Sequence, residues 1–262
     1  MKFTVLMPVH DGVKSKELNL AVKSVLYSSL KPHEFLVIVD GKLDNKKYFF
    51  LKKLSKKKLV RIIFKKKIGL SKILNYGLKI SKYDLVIRAD SDDINHNNRF
   101  KEMIRYFKKY KLDILGSNIS ESFNGKKITK KMPEIPNIWH LLFFNPINHM
   151  SVIYNKKKIL KLGGYPEIKF KEDYALWIKA KYNNLKIMNM QKNLVKTKVD
   201  YKVIERRSNY NSIMSEIKIL KLFLSTFTLY FPISLLALML RITYLNLPNK
   251  IIYLIKKQFL RT

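Results

Sequence analysis

Cysteine is absent from the 262 residues. Its absence excludes disulfides and any thiolate nucleophile or ligand, and it suits a reducing compartment. Acidic residues are scarce: 19 Asp and Glu stand against 53 Lys and Arg, a formal charge of +34. A long apolar leader is also missing. "MKFTVLMPV" carries one basic residue and a short apolar run, too little for a secretory signal, so a cytoplasmic protein is expected. No internal repeat, long linker or nucleic-acid-binding motif stands out. The 47% apolar content is that of an ordered protein of one or two domains, so the high charge does not signal disorder. That charge suits nucleic acid, anionic lipid or a phosphate-rich substrate. Codon bias toward Lys, Ile and Asn accounts for part of it without any partner. The basic residues are spread along the chain rather than gathered in one arm, so nucleic acid is not expected among the partners.

The first hundred residues alternate between apolar runs and helical patterns. "KFTVLMPV" reads as a buried strand ending at Pro8. "LNLAVKSVLYSSL" has Leu18, Ala21, Val22, Val25 and Leu26 at helical spacing. "HEFLVIVDG" is a second strand, "NKKYFFLKKLSK" a helix with a lysine face, and "LVRIIFKK" a third strand. "GLSKILNYGLKIS" is a helix, and "YDLVIRAD" a fourth strand. Such alternation predicts an α/β fold with a mostly parallel sheet and helices on both faces. Ligands of such sheets bind beyond the carboxyl ends of the strands, where Asp40 and the cluster Asp90, Asp92 and Asp93 stand. The region 113–200 is less regular: "LDILGSNIS" and "HMSVIYNKK" read as strands, and "IPNIWHLLFF", "KILKLGGYPE" and "KEDYALWIKAKYNN" as helices.

Three neighbouring carboxylates repel, by roughly 3 kcal/mol per pair at about 5 Å and an effective dielectric near 20. A divalent cation relieves that repulsion, and Asp-x-Asp after a strand is a natural seat for Mg2+ or Mn2+. The same residues also suit a solvated acidic turn, or a cap for the helix starting near Arg99.

"GLSKILNYGL", followed by "LVIRADSDDI" and Arg99, resembles the family 2 glycosyltransferases of the GT-A fold. The likeness is to the bacterial subgroup of capsule, exopolysaccharide and O-antigen enzymes, the amylovoran-biosynthesis type. "VLMPVHDG", "FLVIVDG", "LGGYPEIKFKEDYALWIK", "ERRSNYNSIMSEIK" and "LPNKIIYLIKKQFLR" resemble further segments of it. The resemblance implies inverting transfer from a nucleoside-diphosphate sugar, a UDP-sugar above all, to a polyprenyl-diphosphate-linked glycan. It implies donor binding by Pro8, Val9, Asp40, Asp90 and Ser91, with Asp40 on the base and Asp90 also on the ribose. Asp92, with Asp90, would hold the metal, and Asp93 would share either task. Glu172-Asp173 matches the family's Glu-Asp pair, with Asp173 the general base. These two acids also suit the positive end of a helix dipole.

Four further residues have two readings each. Lys72 either meets the nucleotide at a helix start or is a solvated lysine. His149 faces the metal or diphosphate, or is a core histidine. Arg206 and Arg207 hold a diphosphate or belong to a basic surface. Trp177 is read as core. A sugar-loading enzyme acting on polyprenyl phosphate is the nearer alternative function, and a basic protein binding nucleic acid or anionic membrane the more distant one.

Residues 222–240 carry no charge, enough for a helix of about 28 Å. Its Ser, Thr and Pro232 weaken the hydropathy and predict a kink, so helices lying in the membrane interface are expected rather than a span. The expected division is a catalytic GT-A domain over 1–205 and a helical membrane-associating tail over 206–262, at the cytoplasmic face of the inner membrane.

Overall fold

A computed structural model describes residues 1–123, 126–198, 210–248 and 251. Strand and helix alternate through β1 (Phe3–His10), α1 (Ser15–Leu26), β2 (Glu34–Asp40), α2 (Asn45–Leu54), β3 (Val60–Lys65), α3 (Leu70–Ile80) and β4 (Leu85–Arg88). These four strands are mutually parallel, in the order β3-β2-β1-β4. There follow β5 (Ile94–Asn95), α4 (Arg99–Lys109), β6 (Ile114–Phe123), β7 (Lys126–Lys130) and α5 (Ile138–Phe143). A 3-10 turn, His149–Ser151, leads to β8 (Ile153–Asn155), α6 (Lys156–Lys161), α7 (Glu172–Tyr182) and β9 (Ile187–Lys198). β8 joins β4 antiparallel and carries the sheet on through β6, β9 and β5, with β7 on the side of β6. The sheet is therefore mixed: β1 to β4 form a parallel block, and in the remainder β6 and β9 pair parallel while the other contacts are antiparallel.

Strand alternation sends side chains to two cores. Phe3, Val5, Met7 and Val9 pack with α1, α2 and α4, whereas Leu6, Leu36, Ile38 and Val86 pack with α3, α5, α6 and α7. Trp177 lies fully buried in the second core. One lysine of the expected lysine face, Lys47, is also buried. Its ammonium donates to the carbonyl of Val13 at 3.1 Å and holds the loop after β1.

β1 does not end at Pro8, as the sequence pattern suggests, but runs on to His10. The amide of Ala89 donates to the carbonyl of Leu6, so Leu6 faces β4, and Pro8, two residues on, faces the same way. Pairing with β4 stops at Leu6–Arg88, so the missing proline N–H breaks no ladder bond. β1 and β4 separate there, at the point where the strand order reverses, and the separation opens a cleft.

The segment "GGYPE" is pinned by backbone conformation. Gly163 and Gly164 have φ of 86° and 73°. Asn75 of α3 accepts from the amide of Tyr165 at 2.7 Å and donates to its carbonyl at 2.9 Å. A Cβ on Gly164 would overlap the Asn75 amide oxygen. Gly164→Ala is expected to destabilise the protein by about 1–3 kcal/mol, read from urea unfolding.

The uncharged run is not one helix. It is divided between α8 (Tyr210–Thr226) and α9 (Phe231–Asn246), with a 3-10 turn, Thr228–Tyr230, between them. Pro232 does not kink a helix interior; it occupies the first turn of α9, where its missing N–H costs nothing. Ile219 and Phe223 of α8 extend the second core. Buried Glu216 of α8 pairs with Lys171, just before α7, at 2.6 Å and with Arg241 of α9 at 2.8 Å. The two helices thus brace the start of α7 from behind.

Candidate active site

A cleft of about 250 Å³ lies at the carboxyl ends of β1, β2 and β4. It is lined by Pro8, Val9 and His10 of β1, Asp40 of β2, Leu70 and Ile73 of α3, and Arg88, Asp90, Ser91 and Asp92. The carboxylate of Asp40 accepts from the amides of Ile68 at 2.7 Å and Gly69 at 3.1 Å. These bonds draw the loop before α3 over the end of β2.

Asp90, Asp92 and Asp93 each bring a carboxylate oxygen to within 4.8 Å of the others. Asp90 is gripped by Arg88, from Nε at 2.9 Å and Nη2 at 2.7 Å. Arg88 is 2% exposed and continues from Val86 on the α7 face of the sheet. Its Nη1 lies 3.1 Å from Nε2 of His149, and that nitrogen lies 3.1 Å from the hydroxyl of Tyr165. On the other side of the ring, Nδ1 of His149 is 3.9 Å from Oδ2 of Asp173. Asn145 donates to the same Oδ2 at 2.7 Å.

The expected donor residues Pro8, Val9, Asp40, Asp90 and Ser91 and the expected metal ligand Asp92 therefore share one cleft, and Asp173 is linked toward it through His149 and Arg88. Glu172 is buried beside Asp173. Lys72 is half-exposed and pairs with Glu167 at 3.3 Å instead of lining the cleft. Arg206 and Arg207 lie outside the described residues. The sequence pattern did not single out Arg88, Asn145 or Tyr165. A signal existed for Arg88: a charged residue on the last position of an otherwise apolar strand needs a buried partner.

Residues 4–167 match the family Glycosyl transferase family 2. The chain belongs to that family. It is 34% identical over 231 residues to UDP-Gal:alpha-D-GlcNAc-diphosphoundecaprenol beta-1,3-galactosyltransferase of Escherichia coli, covering 83% of this chain and 81% of that protein. It is 28% identical over 225 residues to the amylovoran biosynthesis glycosyltransferase AmsE of Erwinia amylovora, covering 84% of this chain and 85% of that one. The crystal structure of S. aureus TarS 1-349 superposes with a TM-score of 0.67 at 19% identity. That match covers 87% of this chain and 66% of TarS 1-349, and it shows the shared fold. The TarS fragment has also been solved with UDP and with UDP-GlcNAc.

In this family 2 chain the acidic cluster is electrostatically strained. The surrounding protein, which displaces water around the still exposed Asp92, and then the neighbouring Asp90 raise its carboxyl above its ordinary pKa. Burial, then Asp90 and Asp92, raises that of Asp93 well above it. Arg99 lies beneath the cluster, fully buried, and donates to the carbonyl of Arg88 at 2.8 Å. Burial pulls its pKa down to about 9, against the pull of Asp90 and Asp93. The residues fit a hard divalent cation: three converging carboxylates hold excess negative charge that their neighbouring cations leave uncompensated.

Proposed function

We propose that this protein moves a sugar, with inversion, from a UDP-sugar to a hydroxyl of a polyprenyl-diphosphate-linked glycan in bacterial surface-polysaccharide synthesis. The observation that carries this reading is the cleft lined by the strand-end acids Asp40, Asp90 and Asp92, with Asp173 at the start of α7 approached from it through Arg88 and His149. The names of the similar galactosyltransferase and of AmsE, and the UDP-sugar bound by TarS, support the donor and acceptor classes.

The roles are those the family resemblance implies, and the placement of the residues is compatible with them. Asp40 holds the base, and Pro8, Val9 and Ser91 line its approach. Asp90 serves the ribose and, with Asp92, would hold Mg2+ or Mn2+, which when bound would supply positive charge for the leaving diphosphate. Arg88 keeps the Asp90 carboxylate oriented. Asp173 takes the proton of the acceptor hydroxyl as it attacks the anomeric carbon from the face opposite the nucleotide. Glu172 complements the positive end of α7 beside it.

The catalytic body comprises residues 1–205 and the docking segment residues 206–262, at the cytoplasmic face of the inner membrane. Thr228–Asn246 is long and apolar enough to cross a membrane, with a mean hydropathy of 1.5. Yet α9 buries Ala237 and Leu238 against the body and exposes Phe231, Leu235, Leu236, Met239 and Leu240. Such a helix lies in the interface with its apolar face among acyl chains. The surrounding basic charge adds about 1 kcal/mol per residue near anionic lipid. Phosphatidylglycerol vesicles are expected to capture the protein in flotation, phosphatidylcholine vesicles to do so weakly, and Leu236→Glu with Met239→Glu to abolish capture.

A donor screen, following nucleoside-diphosphate release with lipid-linked acceptor, tests the reaction. UDP release that stops on adding EDTA is the expected result. A product carrying sugar on a monophosphate would identify the lipid-loading reaction instead, and pyrophosphate release would identify nucleotidyl transfer.

A further inference from the structure

The cleft and the start of α7 come from distant parts of the chain, and one line of side chains runs between them. It begins at Asp90, passes through the buried guanidinium of Arg88 and the imidazole of His149, and reaches Asp173. We propose that Arg88 and His149 are positioning residues that join the donor-side carboxylate of Asp90 to the acceptor-side carboxylate of Asp173 in one relay. The inference rests on the sugar-transfer reading above and deepens it.

Three observations carry it. Arginine offers donors only, so Nε2 of His149 must accept from Arg88. The neutral ring then bears its one hydrogen on Nδ1, the nitrogen that faces Asp173. Burial and the adjacent guanidinium hold the His149 pKa well below its ordinary value, so the ring stays neutral and this tautomer persists. Second, the ring is clamped: Tyr165 lies at Nε2, the Tyr165 hydroxyl reaches that of Tyr154 at 3.2 Å, and Trp177 meets the imidazole edge-on at 6.2 Å. Third, Asn145 donates to Oδ2 of Asp173 at 2.7 Å, and Nδ1 of His149 faces the same oxygen from 3.9 Å, beyond hydrogen-bond reach. Oδ1 is thereby left to take the acceptor proton. The relay as proposed requires the carboxylate to move in from 3.9 Å and form the Nδ1–H hydrogen bond in the reacting complex.

The same geometry excludes a second role for His149. With the single lone pair of Nε2 taken by Arg88 and Nδ1 protonated, neither nitrogen is open to a cation. His149 acts through Asp173, not on the donor.

The test uses the whole protein and four readouts: kcat, acceptor KM, UDP affinity by calorimetry, and the 15N spectrum of histidine side chains. His149→Phe should lower kcat about ten- to hundredfold, as loss of an outer partner of a reacting group does, with UDP affinity unchanged. His149→Gln should recover most of that loss, because its carbonyl accepts from Arg88 and its amide donates toward Asp173. The wild-type spectrum should show a neutral His149 with Nδ1 protonated, the signal identified by its loss in His149→Gln. Equal loss in both variants, unchanged kcat in His149→Phe, or a wild-type His149 protonated on Nε2 would each overturn the relay. The spectrum needs no turnover, so it decides the relay even if His149→Phe unfolds. If no donor supports turnover by the wild type, the sugar-transfer reading fails by itself; if transfer proceeds and His149→Phe keeps the wild-type kcat, only the relay fails.

Discussion

Asp173→Asn is expected to slow sugar transfer by roughly 10²–10⁴-fold, the contribution of a placed general base, while UDP binding stays at the wild-type level. The substitution keeps the size of the side chain and an oxygen that accepts from Asn145, so the start of α7 should hold its position. Glu172 remains in the first turn to complement the helix dipole. What is lost is the capacity to carry away a proton. Single-turnover rates with saturating donor, together with calorimetric titration of UDP, separate the two effects. Wild-type turnover in this variant would remove Asp173 from proton transfer, and a parallel loss of UDP affinity would place it on the donor instead.

Asp92→Ala should cost roughly 10²–10³-fold in transfer, the typical effect of deleting one preorganised electrostatic partner, and should weaken the response to Mg2+ or Mn2+. Its effect on stability runs the other way. In the native state Asp93 has a pKa well above its ordinary value of 3.8, from burial first and then from Asp90 and Asp92. The native protein therefore binds more protons than the unfolded chain between that ordinary value and the raised one. Stability that is complete at lower pH is lost as pH climbs through this window. Removing Asp92 removes one source of the rise, so the cation-free variant should melt higher than the cation-free wild type near neutral pH. It should also show a shallower fall with pH. A bound cation relieves the same repulsion, so Mn2+ should raise the wild-type melting temperature more at pH 8 than at pH 5. Thermal unfolding in EDTA and in Mn2+ at both pH values measures all three. A cation effect that is equal at both pH values, or larger at pH 5, would detach the acidic cluster from metal binding.

The sequence alone determined the parallel half of the sheet. Buried strands such as "FLVIV" are apolar on both faces, and the amphipathic helices between them leave one connection, so β1 to β4 were legible with their order of appearance. The acids at the ends of β2 and β4, and the pair opening α7, were legible for the same reason: a cluster of like charge beside an apolar run is a local feature. The second half was not legible in this way. β9 has an exposed middle, Gln191 to Asn193, and its pairing with β6 slips in register around Asn118, so no simple period marks it. Pro8 looked like a strand end because a proline's cost depends on which neighbour its nitrogen faces, and that is a property of the sheet. The division of residues 222–240 into two helices likewise depends on which side chains find the body of the protein.

The relay belongs wholly to the tertiary structure. Arg88 and His149 are 61 residues apart, and Asp173 lies further on still. Only when β8 joins β4 antiparallel, bringing the turn at His149 against the end of β4, does the buried guanidinium gain its acceptor. Local pattern told which residues carry charge at strand and helix ends; the folding of the second half onto the first decided which of those charges meet.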